Sequence, residues 1–162
     1  SKLALKQIGI SSENISAVSN LANYIKRLKL KDPLVVSPDQ GGTERAKKFA
    51  HVLKTDFIAL KKNRDRKTGR INIVTAKVSV KDRDLILVDD MISTGGSIIK
   101  ATQFLKKQKC RRVYVACTHG LFVNGAEKKI KQAGVTQIIS TNTIPSNSSK
   151  VDVSKILAES LL

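Results

Sequence analysis

Apolar residues recur at three- and four-residue spacing in Ile15, Val18, Leu21, Ala22, Ile25 and Leu28. That spacing predicts a helix with one buried face, capped by Ser12 or Ser16. Asp32-Pro33 breaks the pattern, and Leu34-Val35-Val36 reads as a short buried strand. Gly41-Gly42 follows, with a helix over residues 43–53 and a second strand at Phe57-Ile58-Ala59-Leu60. A polar, basic stretch occupies 61–70, and the β-branched run 71–80 reads as an edge strand pair. Leu85-Ile86-Leu87-Val88 is the clearest buried strand, and Ile98, Ala101, Thr102 and Leu105 mark the helix after it. A strand at 113–117, a helix at 126–133 closed by Gly134, a strand at Ile138-Ile139 and a helix at 153–162 complete the series. Short apolar strands alternating with helices specify an α/β fold, a mostly parallel sheet with helices on both faces. No repeat or low-complexity linker divides the 162 residues, so 1–162 is expected to form a single domain.

Composition narrows the class. At 41% hydrophobic and 27% charged residues, the chain is too apolar to be disordered. No apolar run approaches the roughly 20 residues that span a bilayer, so a soluble protein with no membrane partner is expected. Lys and Arg number 30 against 13 Asp and Glu, a formal net charge of +17, which points to anionic partners. Cys110 and Cys117 fit neither a CxxC nor a zinc spacing and read as buried thiols in a reducing, cytoplasmic setting. The N-terminus lacks the apolar core of a signal peptide. It opens on Ser1 rather than methionine, which suggests processing or an origin within a longer protein.

In an open α/β sheet, ligands bind where strands end and helices begin. One such junction reads Val88-Asp89-Asp90-Met91-Ile92-Ser93-Thr94-Gly95-Gly96-Ser97. Its glycines let backbone approach an anion, and the amides of the starting helix point at it. Ser93, Thr94 and Ser97 add hydroxyl donors. The carboxylates Asp89 and Asp90 repel phosphate but accept hydrogen bonds from sugar hydroxyls. A ligand with a phosphate at one end and vicinal hydroxyls beside it suits both halves, and ribose 5-phosphate is such a molecule. The plainer reading is an acidic cap followed by a glycine turn, although two adjacent acids behind a buried run are costly without a partner.

Other groups leave alternatives open. Six of the ten residues 61–70 are cationic and one is acidic, so the segment is expected to stay out of the core and to order on an anion. It is otherwise a solvated charge run or a nucleic-acid patch. His119 is either an acid–base group or a structural histidine beside a tight turn at Gly120. Asn142 and Thr143 either approach a ligand or cap the turn before Pro145. His51 receives no role.

The 88–97 junction resembles the phosphoribosyl-diphosphate (PRPP) binding motif of type I phosphoribosyltransferases and ribose-phosphate pyrophosphokinases. Val35-Val36-Ser37-Pro38-Asp39-Gln40-Gly41-Gly42 is similar to the pyrophosphokinase segment V-V-S-P-D-x-G-G. Thr118-His119-Gly120 and Thr141-Asn142-Thr143-Ile144-Pro145 match two further signatures in the same order. The resemblance covers nearly the whole chain, and family members run to roughly twice its length. It therefore implies a type I phosphoribosyltransferase-like domain forming the C-terminal half of an enzyme, with the N-terminal half as a missing partner.

The resemblance further implies that Asp89, Asp90 and the loop Ser93, Thr94, Gly95, Gly96, Ser97 hold ribose 5-phosphate. Gln40, Gly41 and Gly42 would face the diphosphate, and Asp39 would bind Mg2+. It aligns Lys62 and Arg64 with a Lys-x-Arg pair in a catalytic loop, the lysine neutralising transferred charge and the arginine binding substrate. The chain departs from the pattern at Ser93, where Asp is common, and at Ser97, where Thr is common. The implied activity transfers diphosphate from ATP to ribose 5-phosphate, giving PRPP and AMP, in a homo-oligomer. With four Phe, two Tyr and no Trp, the chain holds little for adenine. By resemblance, the adenine pocket and a magnesium-binding histidine lie in the other half, so this chain alone should bind sugar phosphate without completing the reaction. Two further readings remain: a small phosphoribosyltransferase, for which no base-binding hood is evident, and a PRPP-responsive regulator that binds nucleic acid. The second lacks a helix-turn-helix or RNA-binding signature, making nucleic acid an improbable partner.

Overall fold

The computed structural model describes residues 13–64, 71–74 and 78–161. Its strands in chain order are β1 (Leu34–Ser37), β2 (Phe57–Ala59), β3 (Lys61–Arg64), β4 (Ile71–Val74), β5 (Asp84–Ile92), β6 (Arg112–Gly120), β7 (Gln137–Thr141) and β8 (Ser149–Val151). The helices are α1 (Val18–Lys26), α2 (Thr43–Leu53), α3 (Gly96–Lys107), α4 (Ala126–Gln132) and α5 (Ser154–Glu159). Six strands form one sheet in the order β2-β1-β5-β6-β7-β8, and every neighbouring pair in it is parallel. Strands β3 and β4 form a separate antiparallel pair.

Alternation along the central strands divides the core into two layers. Leu34, Val36, Leu85, Leu87, Val113 and Val115 meet Ile98, Ala101 and Leu105 of α3 and Ile130 of α4. Val35, Ile86, Val88, Ala116 and Ile139 meet Leu21, Ala22 and Ile25 of α1 and Ala46, Phe49 and Ala50 of α2. Both sheet faces are covered, and this is why the strands read as unbroken apolar runs rather than as alternating ones. Each large side chain removed from water in this way contributes about 1.5–3 kcal/mol before the entropy of ordering is counted.

Several sequence expectations shift in the structure. Ser12 lies outside the described residues, and the cap position of α1 is Ala17, while Ser16 Oγ accepts the Val18 amide at 3.4 Å. Strands β5 and β6 outrun their apolar cores, carrying Asp89, Asp90, Thr118, His119 and Gly120 as extended backbone, because the two continue to pair as far as Ile92 and Gly120. Gly120 thus closes a strand instead of forming a tight turn. Of the run 71–80, Ile71–Val74 pairs with Lys61–Arg64, so the basic stretch begins inside a hairpin. Residues 65–70 and 75–77 of these two stretches lie outside the described residues. The three-residue strand β8 at the sheet edge was too short to leave a pattern.

At the N-terminal edge of the sheet, wholly buried Asp84 joins three elements. Its Oδ2 accepts the Lys31 amide at 2.8 Å and Arg111 Nη1 at 2.8 Å. Arg112 Nε lies 3.4 Å from Oδ1, an ion pair whose alignment falls short of a hydrogen bond. Removing the carboxylate leaves the Lys31 amide unpaired and two arginines without their anion. Asp84→Ala should therefore lower the unfolding free energy by about 3 kcal/mol, the low end for a broken buried pair because both arginines stay partly solvated. Urea denaturation measures this, and an unchanged midpoint would mean the cluster contributes nothing net.

Candidate functional site

Because the sheet is parallel, every strand delivers its C-terminal end to the same edge. Val36 of β1 lies beside Leu87 of β5, Asp89 beside Cys117 of β6, Met91 beside His119, and Cys117 beside Ser140 of β7. The segments 37–42, 89–97, 118–120 and 141–143 therefore converge, although they are scattered over more than a hundred residues of sequence. Pairing of Asp39, Asp89, His119 and Thr143 on one edge is what the fold adds to the motifs.

The first segment is a tightly held turn. Buried Ser37 donates its hydroxyl to the Asp39 carbonyl at 2.6 Å, and Asp39 Oδ1 accepts the Gly41 amide at 3.1 Å, capping the 3-10 turn Gln40–Gly42. Gln40 Nε2 donates to the Ala59 and Leu60 carbonyls at 3.2 and 3.4 Å, tying the turn to the point where β2 runs into the β3 hairpin. The backbone of Lys62 and Arg64 thus begins two and four residues beyond a carbonyl that the turn holds. Gly42 is required by contact, since a Cβ there would lie 2.4 Å from Ser37 Oγ and 3.0 Å from Arg45 Nη1. Among the described residues no group of three or more His, Cys, Asp or Glu could cage a metal. Half-buried Asp39 is a hard carboxylate beside this turn, of the kind that holds Mg2+ as one or two carboxylates with substrate phosphates and waters.

The second segment holds the acid pair. Asp89 is half-buried and Asp90 exposed. Arg45, from the first turn of α2, spans both: Nη1 lies 3.1 Å from Asp89 Oδ1 and Nη2 2.7 Å from Asp90 Oδ2. The backbone also contributes, with Asp89 Oδ1 accepting the Asp90 amide at 2.9 Å and Asp90 Oδ1 the Met91 amide at 2.8 Å. Burial raises the Asp89 carboxyl to about 6, a rise that the Asp90 amide and Arg45 only partly oppose. Burial also acts to raise Asp90, but Arg45 and the hydrogen bond with Asp89 outweigh it and hold that carboxyl below its ordinary range. The two acids are thereby pushed apart in acidity. Cys117 nearby is raised to about 12, by burial first and then by both acids, and is an inert thiol.

Sequence reasoning missed Arg45. One signal was present: a cation in the first turn of a helix opposes the helix dipole, so it implies a partner elsewhere in the fold.

The third feature is the start of α3. Gly95 adopts φ +73°, and a Cβ on it would lie 2.8 Å from Ile130 Cδ1, so the fold itself requires glycine here. Gly96 differs, since a Cβ there would meet nothing nearer than Thr94 Oγ1 at 3.9 Å. The cap residue of α3 is Gly95, which has no side chain to close the helix start. The first turn lies beside exposed Thr94 and half-buried Ser93 and Ser97, and amides at a helix start suit an anion.

The last two segments form a hydroxyl cluster. Thr141 Oγ1 and Thr143 Oγ1 donate to the Thr118 carbonyl at 2.8 and 3.0 Å. His119 Nδ1 is hydrogen-bonded to Thr143 Oγ1 at 2.9 Å, which joins the imidazole to this cluster. Asn142 is committed to structure: Nδ2 donates to Asp152 and Oδ1 accepts the Val153 amide. Gly120 is held by Phe122, whose ring would lie 2.4 Å from a Cβ.

Comparison with known proteins identifies the family. Residues 5–156 match the Phosphoribosyl transferase domain family. The chain is 39% identical to a ribose-phosphate pyrophosphokinase of Sulfurisphaera tokodaii over 82% of its own length and 47% of that protein's. It is 34% identical to one from Methanopyrus kandleri over 97% of its length and 54% of that protein's. Its fold is similar to the crystal structure of phosphoribosylpyrophosphate synthetase from Mycobacterium smegmatis, with a TM-score of 0.74, 29% identity, and coverage of 90% of this chain and 49% of that one. The chain spans about half the length of the curated relatives it matches. With the family's motifs converging on one sheet edge, as the parallel topology requires, the chain belongs to the phosphoribosyl transferase domain family.

Proposed function

We propose that this chain is the C-terminal half of a cytoplasmic, oligomeric ribose-phosphate diphosphokinase, carrying its sugar-phosphate site. The observation that carries the reading is an acid pair and a glycine-initiated helix on one strand–helix junction, with acceptors at one end and helix amides at the other. The names of the most similar relatives support the reaction. Buried, unpaired Cys110 and Cys117 suit a reducing compartment, and no helix among the described residues is long and apolar enough to cross a membrane.

In this reading the 5-phosphate of ribose 5-phosphate lies against the amides of Gly96 and Ser97, with hydroxyls from Ser93, Thr94 and Ser97. The ribose hydroxyls donate to Asp89 and Asp90. The diphosphate of ATP lies along Gln40, Gly41 and Gly42, with Lys62 and Arg64 brought over it by the hairpin. The anomeric oxygen attacks the β-phosphorus, the bond to the α-phosphate oxygen breaks, the anomeric proton is lost, and AMP departs. Catalysis of such a transfer is mainly positioning and charge stabilisation. Mg2+, held by Asp39 when bound, would neutralise charge on the diphosphate.

A carboxylate accepts hydroxyl protons only when ionised, so acidification through the raised Asp89 value should weaken sugar binding. At pH 7.5, Asp89→Ala should cost about 1.5–3 kcal/mol of ribose 5-phosphate affinity by calorimetry, the worth of hydrogen bonds to a charged group. Between pH 7.5 and 5 the native chain should lose more affinity than Asp89→Asn, which retains only the titration of the ligand's own phosphate near pH 6. Equal affinity in native and Asp89→Ala chains would remove Asp89 from the site.

The two glycines of the loop separate fold from access. Gly95→Ala should destabilise the chain by about 1–3 kcal/mol through its left-handed backbone. Gly96→Ala should melt normally yet bind ribose 5-phosphate about tenfold more weakly, from one lost anion contact. Paired thermal melts and titrations read both effects, and normal binding by Gly96→Ala would move the phosphate elsewhere.

Alone, the chain should release almost no AMP from ATP, ribose 5-phosphate and Mg2+; joined to its N-terminal half it should be active. In that longer enzyme Lys62→Ala should lower turnover by roughly 10²–10³, as for one lost transition-state contact, with ribose 5-phosphate affinity nearly intact. Full activity of the isolated chain contradicts the half-enzyme reading, and unchanged turnover in Lys62→Ala takes the hairpin out of the mechanism.

A further inference from the structure

Arg45 lies between the two halves of the site. Its guanidinium contacts Asp89 and Asp90 on one side, at 3.1 and 2.7 Å. On the other side it lies against the Gln40–Gly42 turn, so close that a Cβ on Gly42 would come within 3.0 Å of Nη1. The helix bearing it gains nothing from a cation in its first turn. The residue is therefore placed there by its tertiary partners.

Those partners are the acceptors that the sugar needs. Asp89 Oδ1 already takes the Asp90 amide and Arg45, and Asp90 takes the Met91 amide on Oδ1 and Arg45 on Oδ2. Two carboxylates offer about eight lone-pair positions in all, and the guanidinium takes one on each acid. Vicinal hydroxyls that reach Asp89 Oδ1 and Asp90 Oδ2 then compete with the guanidinium. An arginine released from carboxylates seeks another anion, and its planar fork matches phosphate oxygens as well as carboxylate oxygens.

We propose that Arg45 is a positioning residue that couples the two halves of the site: it bridges Asp89 and Asp90 while the sugar is absent, and turns to an anion at the Gln40–Gly42 turn when sugar hydroxyls take over the carboxylates. This rests on the sugar-phosphate reading above. Its consequence is positive coupling between two ligands, which must be reciprocal.

The test is calorimetry on the 162-residue chain with inorganic diphosphate and Mg2+, with and without saturating ribose 5-phosphate. In the native chain the sugar phosphate should tighten diphosphate binding about fivefold or more. In Arg45→Met the enhancement should vanish and diphosphate alone should bind more weakly. Arg45→Lys should recover part of the diphosphate affinity but little coupling, because a point charge cannot bridge two carboxylates. Circular dichroism verifies that each variant is folded, and Arg45→Lys carries the test if Arg45→Met is not. Equal enhancement in native and variant chains, or diphosphate weakened by the sugar in the native chain, overturns the coupling role alone. A native chain that does not bind ribose 5-phosphate at all overturns the underlying reading, and the coupling role with it.

Discussion

Parallel pairing of β1, β5, β6 and β7 is the constraint from which the rest follows. Parallel strands need crossover connections, and α2, α3 and α4 supply them between β1 and β2, β5 and β6, and β6 and β7. Those helices, with α1, cover both sheet faces, so both faces must be apolar. Polar chemistry is left only the edges. One edge gathers the strand starts, tied by buried Asp84 with Arg111 and Arg112; the other gathers the strand ends, where the acids, the glycine turns and His119 meet.

Charge at the second edge is balanced residue by residue. Asp89 and Asp90 are chain neighbours with opposite displacements in acidity, because β5 buries the first more deeply and Arg45 compensates the second more fully. One guanidinium serves two carboxylates, so the pair remains available to a ligand that can supply competing donors. Beside them, α3 begins at a glycine pair with no acidic side chain in its first turn. Carboxylate acceptors and helix-start amides thus sit a few residues apart in the chain.

Glycines in this protein do different jobs that look identical in sequence. Gly42 leaves room for Ser37 and Arg45, Gly95 adopts a left-handed backbone against Ile130, and Gly120 accommodates the ring of Phe122. Gly96 alone of these has open space where a side chain would go, which makes its smallness useful to a ligand rather than to the fold. The pairs Gly41-Gly42 and Gly95-Gly96 each combine a structural member with an exposed one.

The sequence by itself determined the α/β class, the central strands and the buried face of α3, whose Ile98, Ala101, Thr102 and Leu105 are the residues its spacing predicted. It also marked the acid doublet with its glycine turn and the Gly41-Gly42 turn as candidates, because glycine pairs and acidic doublets are local patterns, whereas 118–120 and 141–145 stood out only through the family resemblance. Only the tertiary structure decided that β5 and β6 extend through the acids and His119, since that extension depends on each strand pairing with the other. The same holds for the β3–β4 pairing, for Asn142 as a structural residue bound to Asp152, and for the contact of His119 with Thr143. Arg45 is the clearest case. It reaches Asp89 across 44 residues of chain, and no local pattern records a contact made only when a helix N-terminus and a strand C-terminus are brought to one edge by the sheet between them.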